Sequence, residues 1–331
     1  MLRIALAIVL VGLTAVPAAW ALDDADTTAD TSEPAPAPAQ QAVQDSATGH
    51  GNISVAFFDT AINGFWLRSN IKLPLGAVHM LGAGLDGSYN LSDKWTIYGG
   101  VRYFTGSANT PPMFINCPSI TAAPQCANYP PQTPQHPGAP FLDDGNYHGA
   151  WQDWNFGVAY HAHFGNYYIT PSATATIPTH DYPTYGNGVV GQDLRQLLLS
   201  ATLSHQFDFT NFYYKLGYGY ALSQHVLGVN AGYQRFDGEL GWFVNDKFSV
   251  RGFVTGRAGF GARAGLGAPS FDEFWYERQR LTQHDYHAYG LGFDYGIGER
   301  YKASFDVQHE YWGDSVYDFK YALEARLTRS F

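Results

Sequence analysis

Charged and imidazole side chains recur at every second position of several aromatic-rich segments, the spacing that turns them toward one face of an extended chain. By that parity one face carries Arg102, Asp153, His161, His163, Lys215, Arg251, Arg257, Asp294, Lys302, Glu310, Glu324 and Arg326. Arg68, Lys72, Asp86, Arg235, Asp237, Glu239, Asp306 and Lys320 share it. Both signs are present in similar number. Two outcomes fit such a set: a mixed-charge constriction that filters polar or amphipathic solutes if water reaches it, or a set of internal salt bridges that closes the interior. His161 and His163 could hold a metal with Asp153, but a metal needs further convergent ligands that the spacing does not supply. The pair reads more simply as hydrogen-bonded wall residues, and no cofactor is called for. Ser204-His205 invites a nucleophile–base reading, yet adjacent strand residues point to opposite faces and cannot form a dyad.

The elements that would position these residues are strands. YKASFDVQHEYW, FYYKLGYGYAL and WNFGVAYHAHF each alternate strictly, with aromatic and aliphatic residues on one face. No window of about 18 apolar residues occurs after the N-terminus, so a helical membrane protein is excluded. The compact turns NLSDKW, HFGNYY, FDFTNF, FVNDKF and GIGERY alternate with longer joins, among them the Pro-rich stretch 105–149 and the stretch 265–284. Short turns, longer loops, strands of about ten residues and aromatic girdles are the pattern of a transmembrane antiparallel up-and-down β-barrel. Five short turns between six strand pairs predict twelve strands: 64–73, 80–91, 94–104, 150–163, 166–178, 193–207, 211–222, 232–244, 247–259, 284–295, 300–312 and 316–331. The segment 53–58 competes with 64–73 for the first place. A soluble β-sandwich would also alternate, but with a face of Val, Ile and Leu rather than crowded aromatics.

Symmetric pairing about GIGERY predicts Asp294 opposite Lys302 inside and His287 opposite His309 outside. The outer pair would lie near the lipid interface, as part of a polar girdle or against lipopolysaccharide phosphates.

Export and compartment are read from the N-terminus. Met1–Arg3 is a short basic start, residues 4–16 are apolar, and Ala19-Trp20-Ala21 offers a cleavage site, so residues 1–21 read as a secretory signal peptide. Residues 22–50 are acidic and rich in Pro and Ala, the composition of a disordered segment, and the barrel is expected from 51 to 331. The formal charge is −10; taking the six acids of that segment and Arg3 from the 29 acids and 19 bases leaves 23 against 18. No basic stripe suggests nucleic acid. Cys117 and Cys126 are the two cysteines, and in an exported chain two nearby thiols read as a disulfide.

The C-terminal YDFKYALEARLTRSF alternates to a terminal Phe331, with Tyr321, Leu323 and Leu327 on the same face. It resembles the C-terminal signal read by the barrel assembly machinery of the Gram-negative outer membrane. A further resemblance lies in ITPSATATIPTHDYPTYGNGVVGQDLRQLLLSATLSHQF. Pro178, Thr179, Asp181, Gly186 and Gly191 are similar to a motif of the outer-membrane barrel family associated with the meta-pathway of phenol degradation; His180 stands where that family usually has Gly. The resemblance implies a channel-like barrel passing small, often aromatic, solutes. The alternatives are a non-conducting barrel whose long loops bind a surface partner and, behind it, a lipid-modifying enzyme.

Overall fold

A computed structural model describes residues 50–68, 71–109, 142, 144–182, 184, 188–207, 210–262 and 278–331. The predicted signal peptide, nearly all of the acidic segment, Cys117 and Cys126 lie outside the described residues.

The strands are β1 Gly51–Arg68, β2 Ile71–Asn90, β3 Trp95–Asn109, β4 Asp144–Tyr160, β5 Ala162–Phe164, β6 Tyr167–Pro178, β7 Gln196–Gln206 and β8 Phe212–Ser223. After a small hairpin, β9 His225–Val226 and β10 Val229–Asn230, come β11 Tyr233–Asn245, β12 Phe248–Gly259, β13 Asp285–Ile297, β14 Tyr301–Asp314 and β15 Val316–Ser330. One helical turn, α1 Arg278–Leu281, precedes β13. Neighbours pair antiparallel in the order β4-β3-β2-β1-β15-β14-β13-β12-β11-β8-β7-β6, and β4 pairs again with β6. β5 continues β4 past His161 and pairs with the same strand. The ring is a closed twelve-stranded antiparallel barrel. Closure leaves no unpaired sheet edge, which is what lets strands stand in hydrocarbon.

The chain ends meet at the seam. Gly51 and Phe331 exchange both backbone hydrogen bonds, each 3.0 Å, so the last residue completes the ladder between β15 and β1. The compact turns are made by local side-chain acceptors. Asn245 Oδ1 accepts from the N–H groups of Lys247 and Phe248 at 2.9 and 3.0 Å, and Ser92 Oγ accepts from Lys94 and Trp95. Such Asx and Ser turns reverse the chain at once and fix the register of the strands they join.

Alternation places the two faces as the sequence predicts. Leu291 is 66% exposed, Phe57 60% and Leu240 56% on the outer face. Leaving one such side chain in water forgoes about 1.5–3 kcal/mol, so a continuous wall of them needs hydrocarbon around it.

Three expectations are corrected. The first strand is 51–68, containing 53–58, while residues 64–73 are divided between the end of β1 and the start of β2. A register shift at Ile62/Gly64 and Pro74 opposite Gly64 interrupt the alternation there, which disguised both strands. Two joins expected to be long are short: residues 69–70, and Ser315 alone between β14 and β15. The β13–β14 ladder is offset by two residues, with Asp294 opposite Ser304, Lys302 opposite Gly296, His287 opposite Trp312 and Tyr289 opposite His309. The turn there centres on Gly298–Arg300, with Gly298 at φ 67, and an offset of two keeps the side chains on their predicted faces as far as the register shift at His287/Ala288.

Candidate functional site

The lumen has two layers. The inner layer, toward the short turns, is charged along one arc. Lys215 on β8 meets Glu239 on β11 at 2.9 Å, and Glu239 lies 4.0 Å from Arg251 on β12. Arg251 reaches on with one guanidinium nitrogen to Asp294 on β13, 2.8 Å, and with another to Asp306 on β14, 2.6 Å. Asp306 is the register partner of Glu324 on β15, Glu324 pairs with Arg326 at 2.7 Å, and Arg326 crosses β1 to Asp86 on β2 at 3.0 Å. Alternating signs make each carboxylate tolerable: Arg251 is only 9% exposed, and its planar fork serves two acids at once.

The rest of the same circumference is neutral. Tyr98 hydrogen-bonds Thr174 at 2.6 Å, Thr176 donates to Asn155 at 2.8 Å, and Ser172 bonds Ser200 at 2.7 Å, linking β3, β4, β6 and β7. His161 sits below this arc, bonded to Thr96 at 2.9 Å and Thr170 at 3.3 Å. His163 is exposed at the rim and packs on Tyr168. Asp153 lies on β4 eight residues before His161, which follows the end of that strand, so the three do not converge.

The outer layer is built on an apolar cluster with charged groups buried beside it. Phe58, Ile62 and Phe65 of β1, Val78 and Met80 of β2, Phe104 and Ala108 of β3, Tyr286 of β13, and Val316, Tyr317 and Phe319 of β15 form one buried cluster with Val190. The rings of Phe58 and Phe104 lie 5.3 Å apart, and Phe65 meets Tyr317 edge-on at 5.8 Å. Val190 belongs to the connection between β6 and β7, so that connection dips into the barrel. It comes so close to β3 that a Cβ on Gly106 would lie 2.5 Å from the carbonyl oxygen of Gly188.

The dipping segment is pinned by polar bonds. The Tyr182 hydroxyl donates to Asp153 at 3.0 Å and accepts from the Asp193 N–H at 2.8 Å. Gln192 donates to the carbonyl of Gln279 in α1, and Gln279 donates to the Tyr317 hydroxyl. Leu194 and Leu281 pack with Val226 and Ala231 into a second small core. Two outer connections and the β9–β10 hairpin thus join above the barrel.

Several predicted wall residues take structural places in this layer. Arg102 is buried with its guanidinium 5.2 Å from the Phe58 ring, and Arg257 is buried 3.6 Å from the Tyr233 ring. Glu310 is 1% exposed and accepts the Phe319 N–H at 3.0 Å. That bond matters because the β14–β15 ladder stops at Gln308 and Ala322. Beyond it the strands are bridged by Glu310 and by His309 Nδ1–H donating to the Lys320 carbonyl at 2.9 Å. Lys320, expected inside, is bulged and exposed. Lys302 keeps its inward place beside Asp294 without facing it in register.

Sequence parity found the charged arc but not the plug. Val190, Tyr182 and Gln192 carry no periodic signal, and only the proximity of Pro178–Gly191 to the resemblance motif marked that segment at all.

On the outer wall, Ser204 and His205 point to opposite faces, His205 stacking on Tyr167 at 4.5 Å near a short turn. Tyr321, Leu323, Leu327 and Phe331 line the outward face of β15.

The chain is similar in fold to an outer membrane channel from Pseudomonas putida F1, with a TM-score of 0.60 at 9% identity over 86% of this chain and 96% of that one. The NanC porin follows with a TM-score of 0.45 at 9% identity, over 84% of this chain and 98% of the porin. No family model matches the chain, and no curated protein matches it.

Proposed function

We propose that the chain is an outer-membrane channel of a Gram-negative envelope, exported by a cleaved signal peptide, that passes small apolar or amphipathic solutes of aromatic size. The observation that carries this reading is the layering of the lumen. A solute entering from outside passes the half-exposed Lys72, paired to Asp318 at 2.8 Å, and then meets Phe58, Met80, Phe104, Tyr286 and Tyr317 before the charged arc. A strongly hydrated ion would have to be stripped to cross that layer, whereas an apolar ring exchanges one aromatic contact for another. The charged arc beneath, paired on itself, returns an amphipathic solute to water. The resemblance to the phenol meta-pathway barrels and the likeness in fold to an outer membrane channel support the same reading.

In this proposal Lys215, Arg251, Asp294, Lys302, Glu324 and Arg326 line the inner passage, with His161 and His163 at its rim. Arg102, Asp153, Arg257 and Glu310 hold the outer layer in place. Passage requires the plug centred on Val190 to shift, so Tyr182 and Asp153 form its latch. The C-terminal Phe331 with Tyr321, Leu323 and Leu327 is the segment offered to the barrel assembly machinery, and a Cys117–Cys126 disulfide shapes access from outside.

The test is transport by the full chain in bilayers. Expected are small, plug-limited current steps altered by Arg102 or Glu310 substitution, and uptake of a monoaromatic solute into proteoliposomes faster than that of a charged sugar acid. A folded barrel that is silent in planar bilayers and admits neither solute overturns the channel and leaves the loop-binding surface barrel as the better reading.

A further inference from the structure

Three rows of the lumen share one construction. A large side chain, a glycine and the group that the side chain reaches stand opposite one another on three neighbouring strands. Tyr98 of β3 faces Gly157 on β4 in register, Gly157 faces Thr174 on β6, and the Tyr98 and Thr174 hydroxyls lie 2.6 Å apart. Phe104 of β3 faces Gly82 on β2, which faces Phe58 on β1, and the two rings meet at 5.3 Å. Arg251 of β12 faces Gly292 on β13, which faces Asp306 on β14, and the ion pair across them is 2.6 Å.

In each row the side chain lies over the glycine. A Cβ on Gly157 would collide with the far end of the Tyr98 ring, and one on Gly82 with the Phe104 ring; a Cβ on Gly292 would stand 2.9 Å from Arg251 Nε. Two further rings lie over the glycine opposite them in the same way, Phe253 over Gly290 and Tyr213 over Gly241.

Reaching the second strand means covering about 9–10 Å along the wall, since neighbouring strands stand about 4.8 Å apart. That uses the length of the side chain and leaves little to project toward the barrel axis. A ring laid flat takes only the thickness of a van der Waals contact, about 3.5–4 Å, from the radius. Any side chain at the glycine would prop the ring up and turn it into the passage. Cross-strand pairs of a ring and a glycine also stiffen a sheet. These rows do more, because they decide how much of the radius the large lumen side chains consume.

We propose that the inward glycines set the width of the inner passage, with Gly157 beneath Tyr98 as a size-determining position for the solute. The inference rests on the channel reading and deepens it: the passage below the plug stays open to a solute of ring size because its own rings are laid against the wall.

It is tested by open-level conductance of the full chain in planar bilayers, in the Tyr182→Phe barrel so that the plug does not limit the step, and by uptake of a one-ring and a fused two-ring aromatic solute into proteoliposomes. Gly157→Ala is expected to reduce the step roughly twofold and to exclude the two-ring solute before the one-ring, as a constriction raised into the lumen does. Adding Tyr98→Ala to it removes the raised ring and restores the step. Tyr98→Ala alone widens the step only slightly, because a flat ring blocks little. Gly252→Ala lies on the lipid side between Arg251 and Phe253, where a Cβ comes no nearer than 3.8 Å to Leu291, and it keeps the step. Heat-modifiable migration verifies folding; should Gly157→Ala not fold, Gly241→Ala raises Tyr213 in the same way and decides instead. A ring that only stiffens the sheet predicts lower stability in Gly157→Ala with an unchanged step and solute ratio. That result overturns the proposal, as does a large widening in Tyr98→Ala, and both leave a conducting barrel. A barrel silent in every variant, the unaltered chain included, overturns the channel reading and the width role with it.

Discussion

The two layers of the lumen are built on the same strands but held by different forces. Inner residues such as Arg251, Asp294 and Arg326 meet in directional, charge-assisted bonds between 2.6 and 3.0 Å. Outer residues such as Phe58, Met80 and Phe104 meet in non-directional contact and are almost completely buried. A charged ring keeps its geometry when water enters, because its partners stay paired. An apolar plug can exchange one occupant for another of similar shape at little cost. The first is suited to setting the width of a passage and the second to opening it. Joined in one barrel, they give a passage that is fixed below and yielding above.

Removing the centre of the ring should have the largest effect. Arg251→Met leaves Asp294, Asp306 and Glu239 facing one another without their shared cation, and breaking a buried pair in this way costs about 3–5 kcal/mol. The expected outcome is a lower urea midpoint in lipid vesicles, followed by tryptophan fluorescence. In the folded fraction, the reversal potential under a salt gradient should shift toward cation preference. An unchanged midpoint would mean that water already screens the arc and that the pairs are not structural.

Phe104→Ala breaks the other layer. Truncating a buried Phe costs about 3–5 kcal/mol where the site cannot collapse, and the lower end is expected here because Val190 sits on a connection that can follow. Its signature is opposite to that of Arg251→Met: uptake of a monoaromatic solute rises while ion preference stays as it was. Equal gains for an aromatic and for a charged sugar acid would show that the plug obstructs without selecting.

How far the sequence spoke to this division follows from what a period of two can encode. Parity put Lys215, Arg251, Asp294, Glu324 and Arg326 inside and Tyr321, Leu323 and Leu327 outside, because a regular strand in a closed barrel has no freedom to turn a side chain to the other face; it failed at Lys320, where β15 is bulged. Parity says nothing of partners. Asp294 and Lys302 share the inner face as expected, yet the turn at Gly298–Arg300 moves them two residues apart and gives Asp294 to Arg251 and Ser304 instead. Arg326 finds Asp86, 240 residues away, only because closure brings β15 within one strand of β2. The plug left no periodic trace, since Val190 and Tyr182 reach the lumen through irregular backbone. The first strand was obscured by a bulge, and 53–58 came into place only when Gly51 met Phe331.

Tyr182→Phe tests the latch between the layers. Its hydroxyl serves the buried Asp153 and the half-buried Asp193 N–H, so its loss takes a partner from each, a cost of about 1–3 kcal/mol that falls on the dipping segment rather than on the barrel. The urea midpoint is expected to move little, while openings in single-channel records become more frequent. A fall in midpoint as large as that of Arg251→Met would make the segment part of the folding core.

The smallest effect is expected on the neutral arc. Ser172→Ala removes one hydroxyl from a 2.7 Å bond to Ser200, which keeps a freely rotating hydroxyl able to turn toward other acceptors. A neutral bond of this kind contributes about 0.5–1.5 kcal/mol, and the loss should sit at the bottom of that range. Conductance and reversal potential should match the unaltered barrel within error, because the arc carries no charge to lose. A large shift in ion preference from this change would instead place the permeation path against β6 and β7, so that the charged arc serves as the opposite wall's brace and not as the filter.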